Sequence, residues 1–278
     1  MKKLILTCLV LLALSASASA AEKESVYDRV MRTGTIRCGY AIWTPVLFKD
    51  MNTGKLQGLT YDLMEQIGKR LNLKIEWAEE TGWGTIVEGL HTGRYDMICT
   101  GIANSSARIK FIDFSAPAFF LPAYLVARKN DGIFDKNHDL LNNGKYKIAV
   151  LDGEISSIMA VQLYPKAALD SMPQTSDYSL LLKEVETKKA DVTIIEPETF
   201  YQYEQHNPGI LKIVDKSHPL NVLPASFGVP INDLAFKRMI DVTLSELIYD
   251  GTVAKLVKKY EKVPGSMLLP TRPYEVLK

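Results

Sequence analysis

The stretch Thr92–Cys99, TGRYDMIC, has a counterpart in Thr187–Ile195, TKKADVTII. Each stretch leaves a helix-like segment, passes through a tight turn, reaches an aspartate and enters an apolar run typical of a buried strand. A helix, turn and strand repeated in this way in two parts of one chain predicts two similar α/β units. The fold class follows from this repeat.

Residues before the first stretch complete one unit. Thr35–Tyr40 and Lys74–Trp77 have the composition of strands, and Tyr61–Leu71 between them has apolar residues four apart on one helical face. Asp96–Cys99 is the next strand. Strands that alternate with helices predict a largely parallel sheet, with polar groups gathered at the carboxyl ends of the strands.

The second unit begins with the strand Ile148–Leu151, followed by a helix that we expect Ser156 to cap. Extended apolar segments at Tyr124–Arg128 and Asn221–Val229 flank this unit and predict two crossings between lobes. The mature chain is longer than one hydrophobic core usually allows, which also favours two lobes.

The chain end and the domain boundaries follow from these crossings. Helical patterns at Leu234–Leu247 and Val253–Tyr260 are expected to pack back on the first lobe, and the proline-containing tail from Pro264 to be loosely held. We predict a signal peptide at 1–20, the first part of lobe 1 at 21–127, lobe 2 at 128–221, and a hinge return with the lobe 1 C-terminal helices and the tail at 222–278.

The N-terminus has the features of a secretory signal: Lys2 and Lys3, an apolar run Leu4–Leu14, and small residues ending at Ala20. Cleavage near Ala20 leaves 31 basic and 32 acidic residues, a net charge of −1. That balance does not indicate nucleic acid as a partner. A periplasmic, monomeric protein is expected.

Two cysteines, Cys38 and Cys99, remain after cleavage. An oxidising compartment would allow one disulfide. Both residues lie in apolar strand-like runs, where thiols commonly pack as small hydrophobic groups. We therefore expect free, buried cysteines.

Motifs for catalysis, metals and cofactors are missing from the sequence. The histidines at 91, 138, 206 and 218 are scattered, and no nucleophile motif, phosphate-binding loop or dinucleotide motif occurs. No two histidines have the spacing of a metal site. No catalytic residue, metal or cofactor is predicted.

A recognition site is indicated instead by Arg108, which follows the small-residue stretch Gly101–Ser106. Small residues let backbone N–H groups approach a solute, and a guanidinium can hold a carboxylate through two hydrogen bonds. The alternative for an isolated arginine is a surface ion pair.

Several motifs together resemble the bacterial extracellular solute-binding proteins of polar amino-acid ABC transporters. The resemblance extends from about Val26 to Tyr260. It is carried by Gly34–Arg37, Gly54–Gly58 with Asp62-Leu63, Gly93–Asp96, Gly101–Ser115, Ala190-Asp191, Asp250–Thr252 and Lys258–Tyr260. It implies the type II periplasmic-binding-protein fold, with two α/β lobes joined by two hinge crossings that close around a solute. The implied partners are a small polar amino acid or related zwitterion or cation, and a permease in the inner membrane.

The resemblance also implies roles for individual residues. Trp43 corresponds to an aromatic residue that covers the ligand, and Arg108 to the arginine that binds its carboxylate. Gly153 corresponds to a glycine whose loop holds the same carboxylate, and Glu196 to an acid that binds the ammonium group. Arg108 and Glu196 would approach the solute from opposite lobes.

Departures from the family pattern affect the solute. Ala103 stands where a hydroxyl residue is usual, and Glu154 and Ile155 replace two threonines. Tyr40 stands where binders of basic amino acids can have an aspartate, and Thr60 replaces the first aspartate of the helix-opening passage. These changes remove hydroxyl contacts to a carboxylate and add an acid.

The remaining candidate contacts have two readings. Glu154 together with Glu196 would favour a cationic group such as an amine or guanidinium, or Glu154 is a solvated loop residue. Trp83 would stack on the solute or close the lobe core. Thr100 and Gly101, at the end of the third strand, complete the predicted binding set.

Two other functions fit the same fold. One is a periplasmic enzyme resembling cyclohexadienyl dehydratase, with Glu154 and Glu196 as acid and base. The other is a ligand sensor that presents its closed form to a receptor. Neither requires a different architecture.

Overall fold

The strands of the protein form a ten-stranded mixed sheet and a two-stranded hairpin in a computed structural model that describes residues 24–270. The strands are β1 Thr35–Tyr40, β2 Phe48–Lys49, β3 Leu56–Gln57, β4 Lys74–Glu80, β5 Met97–Ala103, β6 Ile112–Phe114, β7 Phe119–Arg128, β8 Lys147–Leu151, β9 Ala168–Met172, β10 Val192–Ile195, β11 Leu211–Ile213 and β12 Asn221–Pro230. The predicted signal peptide, residues 1–20, lies outside the described part.

The helices lie between these strands and after them. They are α1 Val26–Thr33, α2 Leu59–Leu71, α3 Ile86–His91, α4 Ile155–Leu163, α5 Ser179–Glu186, α6 Pro197–His206, α7 Leu234–Tyr249 and α8 Thr252–Tyr260, with short 3₁₀ helices at Arg108–Lys110 and His138–Asn143. None of the helices between residues 24 and 270 has both the length and the apolar character needed to cross a membrane.

The sheet consists of two parallel parts joined by two long antiparallel strands. Its main order is β4-β1-β5-β12-β7-β10-β8-β9. Strand β1 pairs in parallel with β4 and β5, and β8 pairs in parallel with β9 and β10. Strands β7 and β12 are antiparallel to each other and carry the chain between the parts. The predicted α/β fold of two lobes with two hinge crossings is confirmed.

Asp96 directly precedes β5, and Asp191 directly precedes β10. The similar bonds of these two aspartates explain the two similar stretches of sequence. The backbone N–H of Asp96 donates to the carbonyl of Arg37 at 2.8 Å, and the Asp96 carboxylate accepts the Arg37 backbone N–H at 2.6 Å. In lobe 2, Asp191 makes the same two bonds to Lys147, each 2.9 Å long. Because each aspartate ties the start of one strand to the start of its neighbour, it fixes their register.

Charge compensation around these aspartates differs in extent. Asp96 is fully buried and pairs with the guanidinium groups of Arg29 and Arg37. Asp191 is partly exposed and pairs with Arg128, at 3.1 Å between Nη2 and Oδ1. A buried carboxylate needs opposite charge and hydrogen bonds, and both lobes supply them with arginine.

Tyr95, next to Asp96, fills the space between β1 and α3. Its side chain is fully buried, and its hydroxyl donates to the carbonyl of Ile86. A Cβ atom added at Gly39 or at Gly89 would overlap the Tyr95 ring. The two glycines are therefore required by the close approach of strand and helix to this ring.

We predict that Gly89→Ala destabilises the protein by about 1–3 kcal/mol, because overpacking against a buried ring outweighs the gain that alanine brings inside a helix. Urea unfolding would measure the change. Gly82→Ala is the control, since no atom lies within 4 Å of its added Cβ. A gain in stability for Gly89→Ala would contradict the proposed packing.

The C-terminal helices α7 and α8 pack on α2. Arg70 at the end of α2 pairs with Glu246 and Asp250 of α7 and its C-terminus. The carboxylate of Asp62 in α2 accepts hydrogen bonds from Lys259 and Tyr260 of α8, at 2.7 and 2.8 Å. The motifs Asp62-Leu63, Asp250–Thr252 and Lys258–Tyr260 carry part of the family resemblance. These contacts bring the three motifs together on one surface.

The expectation of a loosely held tail is wrong for residues 264–270. Leu268 forms a bridge with Phe120 of β7, with two backbone hydrogen bonds of 2.7 and 2.8 Å. Ser266 is buried and donates to the carboxylate of Glu198 in lobe 2 at 3.4 Å. The prolines predicted a segment without helix, which the structure has. The segment is nevertheless held in place, because its backbone pairs with β7 at Phe120.

The expectation of free cysteines is also wrong, because Cys38 and Cys99 form a disulfide. Cys38 of β1 lies opposite Met97 of β5, so Cys99 is its diagonal neighbour on the same face. The Cα atoms are 5.5 Å apart, a usual distance for this bond. Both residues are fully buried, as predicted.

We predict that the unreduced mature chain has no thiol that reacts with iodoacetamide in denaturant, and that reduction releases two. Since the bond closes a loop between residues 61 apart, its loss should cost about 2–4 kcal/mol of stability. Mass spectrometry after alkylation counts the thiols, and urea unfolding of Cys38→Ala/Cys99→Ala measures the cost. Two reactive thiols before reduction would exclude the disulfide.

Candidate functional site

A cavity that is partly open to solvent lies between the lobes. The residues that line it are Trp43, Trp83, Gly101, Ala103, Arg108, Leu121, Glu154, Ile155, Tyr178, Glu196 and Leu223. Most of the residues singled out from the sequence are thus brought to one place. Among the lining residues, the charged ones are Arg108 from lobe 1, and Glu154 and Glu196 from lobe 2.

Arg108 opens the 3₁₀ helix that follows β5, and its backbone N–H donates to the hydroxyl of Ser105 at 3.3 Å. Its guanidinium reaches across the cavity. Nη1 donates to the carbonyl of Ala103 at 3.3 Å, and Nη2 donates to Oε2 of Glu154 at 3.2 Å. Both side chains are largely buried, with 11% and 4% of their surface exposed. An ion pair therefore connects the two lobes directly.

Glu154 occupies the N-cap position of α4, in place of the predicted Ser156. The Ser156 hydroxyl instead accepts the backbone N–H of Leu151, at 3.0 Å. Burial raises the pKa of Glu154, and the charge of Arg108 opposes that rise only in part. The alternative that Glu154 is a solvated loop residue is excluded by its burial.

Glu196 follows β10 and is the N-cap residue of α6. Only 7% of its surface is exposed, and burial raises the pKa of its carboxyl group. Within residues 24–270, no other residue forms a hydrogen bond or an ion pair with this carboxylate. Glu196 is therefore a buried acid that faces the cavity without a counter-charge.

Aromatic side chains form a wall of the cavity. Trp43 and Trp83 of lobe 1 meet edge to face, with ring centroids 5.9 Å apart. Trp43 is held by two backbone hydrogen bonds to Leu47, both 2.7 Å long. Because Trp83 also lines the cavity, it does more than close the core of lobe 1. Next to it, a Cβ on Gly84 would collide with the Gln174 side chain from lobe 2, so the lobes are also close there.

Tyr178 of lobe 2 was not identified from the sequence. It precedes α5 as its N-cap residue, and its hydroxyl donates to Oε2 of Glu154 at 3.5 Å. Burial, reinforced by the charges of Glu154 and Glu196, raises the pKa of Tyr178 well above its usual value. The signal available in the sequence was its position: like Glu154 and Glu196, it directly precedes a helix of lobe 2.

Two further lining residues, Leu121 of β7 and Leu223 of β12, were missed because they belong to the hinge strands. They are opposite each other in the β7–β12 pairing, and each has about 5% of its surface exposed. The sequence identified these strands as crossings, but no pattern showed which face would meet the cavity.

Three predicted residues lie outside the lining. Tyr40 packs edge to face on Trp77, 5.5 Å between centroids. The Thr100 hydroxyl exchanges hydrogen bonds with the backbone of Ala41, at 3.0 and 2.8 Å, and so fixes the segment that leads to Trp43. Gly153 adopts a left-handed φ of +70°, which forms the turn before Glu154. Their contacts with a solute stay a prediction.

A metal site is not formed by this arrangement. Across the described range 24–270, no group of three or more His, Cys, Asp and Glu side chains could hold a metal ion. The cavity instead offers one crossing ion pair, one unpaired carboxylate and an aromatic wall. These groups suit non-covalent recognition of a small charged molecule.

The chain belongs to the bacterial extracellular solute-binding proteins, family 3, whose model matches residues 36–263. A probable amino-acid ABC transporter-binding protein from Haemophilus influenzae is 25% identical over 260 residues, 92% of this chain and 96% of that one. The family assignment agrees with the resemblance identified from the sequence and with the two-lobed fold.

Solved structures of amino-acid-binding proteins have a similar fold. An ancestral amino-acid-binding protein described as a precursor of cyclohexadienyl dehydratase matches with a TM-score of 0.70 and 26% identity, over 86% of this chain and all of that one. An ancestral arginine-binding protein, bound to arginine, matches with a TM-score of 0.66 and 27% identity, over 82% of this chain and 98% of that one.

We predict that Glu196→Gln stabilises the ligand-free protein at pH 7 by roughly 1–3 kcal/mol, because it removes a buried, unpaired charge. Because the folded pKa is raised, the native state holds more protons than the unfolded state above about pH 4.3, and wild-type stability falls as pH rises through that window. The gain should therefore vanish near pH 4.

Urea unfolding at pH 4 and pH 7 makes this comparison. The control is Glu198→Gln, also in α6 and equally buried, but with hydrogen bonds from Ser266 and Gln202. That variant should show no such pH-dependent gain. Equal stability of Glu196→Gln and wild type at both pH values would mean that the Glu196 carboxyl group is not strained.

Proposed function

We propose that this chain is the substrate-binding component of an ABC transporter, and that it closes its lobes around a small, polar, amino-acid-like solute. The observation that carries the proposal is the cavity between the lobes, with Arg108 on one side and Glu196 on the other. Membership of the solute-binding family and the amino-acid-binding relatives support it.

Closure has a simple thermodynamic basis. A solute that contacts both lobes binds the closed form better than the open form, and it shifts the hinge equilibrium by that difference. The crossing strands β7 and β12 are the only segments that the described chain passes through between the lobes, so bending there changes the gap. The solute contacts we assign are those predicted from the sequence, with Tyr178, Leu121 and Leu223 added.

The same proposal specifies the location of the protein, its membrane partner and its division into lobes. Export by the N-terminal signal, with cleavage near Ala20, would deliver a monomer to the periplasm. The closed form would then dock on a permease in the inner membrane. We assign 21–127 and the C-terminal segment 222–278 to lobe 1, and 128–221 to lobe 2. No cofactor is needed for this cycle.

The proposal predicts a saturable binder among the common amino acids and the amines formed from them by decarboxylation. Protein refolded from denaturant, and so freed of retained solute, should be stabilised by about 2.7 kcal/mol at a hundredfold excess of ligand over Kd. Thermal shift finds the ligand, and calorimetry measures its affinity. If no compound of the panel or extract of retained solute binds, the function is wrong.

Tryptophan fluorescence tests where the solute binds. Of the three tryptophans, Trp43 and Trp83 line the cavity, while Trp77 packs on Tyr61 in lobe 1 with centroids 5.2 Å apart. Trp43→Ala should weaken binding and reduce the fluorescence change, whereas Trp77→Phe should retain both. The reverse result would move the solute away from the cavity.

A second candidate is an enzyme that uses Glu154 and Glu196 as acid and base. The observation in its favour is that burial raises the pKa of both carboxyl groups in one cavity, as general acid catalysis requires. The likeness to a precursor of cyclohexadienyl dehydratase adds to it. Turnover of prephenate or arogenate by the wild type, lost in Glu196→Gln, would establish this function, and saturable binding without turnover favours the carrier.

A further inference from the structure

The charges around the cavity do not cancel. Arg108 and Glu154 form an ion pair with each other, and Glu196 has no partner within residues 24–270. The hydroxyl of Tyr178 stays neutral because burial holds its pKa high. The lining therefore carries one net negative charge, and the charge belongs to a buried carboxylate. Burying such a group is costly unless a cation neutralises it.

The guanidinium of Arg108, which would hold a carboxylate, already bonds to the protein through two of its five N–H groups. Both terminal nitrogens of Arg108 donate to the protein, one to Ala103 and one to Glu154. Glu154 itself is the N-cap residue of α4 and places its carboxylate beside Arg108. Ala103 has no hydroxyl to donate. A solute carboxylate placed on Arg108 would lie beside the Glu154 carboxylate, and like charges at that distance repel.

Glu154 and Glu196 are the N-cap residues of α4 and α6, although neither side chain forms a cap hydrogen bond. The positive end of a helix favours an anion, and at both of these ends the chain places a carboxylate of its own.

The remaining surface suits a cation on an apolar body. Trp43, Trp83 and Tyr178 present aromatic rings, and Leu121 and Leu223 present apolar side chains. Aromatic faces attract ammonium groups, most strongly where water is excluded. An ammonium group at Glu196 would share the cavity with these rings and leucines, which offer surface for the apolar part of the solute.

We propose that the solute is a monocationic primary amine that has an apolar body and no carboxylate group. Its ammonium pairs with Glu196, while Glu154 keeps Arg108 as a contact between the lobes. This inference rests on the proposed function, because it specifies the solute of the same cavity. It departs from the assignment of Arg108 to a solute carboxylate that the family resemblance implies.

The test compares each amine with the amino acid from which decarboxylation would form it. Tyramine with tyrosine, histamine with histidine and 3-methylbutylamine with leucine are titrated into refolded wild-type protein by calorimetry at pH 7.5. We expect at least one amine to bind at least about tenfold more tightly than its amino acid, because that amino acid adds a carboxylate next to Glu154.

Glu154→Gln removes the competing carboxylate and frees Arg108. We expect the ratio of amine to amino-acid affinity to fall by about tenfold or more in this variant. Glu198→Gln, a buried glutamate outside the cavity, should keep the wild-type ratio. If circular dichroism shows that Glu154→Gln does not fold, the wild-type ratios alone decide.

The outcomes separate the two proposals. Amino acids that bind wild type as tightly as their amines, or more tightly, overturn the inference and leave the proposed function standing. An unchanged ratio in folded Glu154→Gln also overturns it. If neither amines nor amino acids bind, both the inference and the proposed function fail.

Discussion

The ion pair between Arg108 and Glu154 takes two charges out of water at the boundary of the lobes. Desolvation costs several kcal/mol per ion, and attraction offsets it only where the geometry is good. Here the contact joins one guanidinium nitrogen to one carboxylate oxygen at 3.2 Å, without the second bond of a fork. The pair therefore sets the relative position of the lobes more than it stabilises them. Such a balance lets a small solute decide between open and closed forms.

In lobe 2, three of the side chains that line the cavity occupy the same position relative to a helix. Glu154, Tyr178 and Glu196 are the N-cap residues of α4, α5 and α6. Each helix follows a strand, and the carboxyl ends of parallel strands lie at one edge of the sheet. Since Asp191 fixes the register of β8 and β10, it also fixes where Glu154 and Glu196 emerge. A residue outside the cavity lining thus determines the geometry of the cavity.

The fold could be predicted from the sequence because its signals are local and repeated. Apolar periodicity and turn residues mark each strand and helix, and the motif around Asp96 recurs at Asp191. The disulfide depends instead on the register of β1 against β5, which local patterns do not show. Tyr178 was missed for a related reason, since an aromatic residue before a helix has no distinctive chemistry until Glu154 lies beside it. The tail was misjudged because its partner, Phe120, is distant in sequence.

The unpaired carboxylate of Glu196 links these observations to function. A chain selected for stability alone would place glutamine there, because burying a lone charge works against folding. A glutamate at this position makes sense if the missing counter-charge arrives with the solute, so that the cost of burial in the free protein becomes affinity in the complex. The ion pair of Arg108 with Glu154 strengthens this argument. Because Arg108 pairs with Glu154, Glu196 is the lining carboxylate that lacks an ion-pair partner within residues 24–270 until a cation enters.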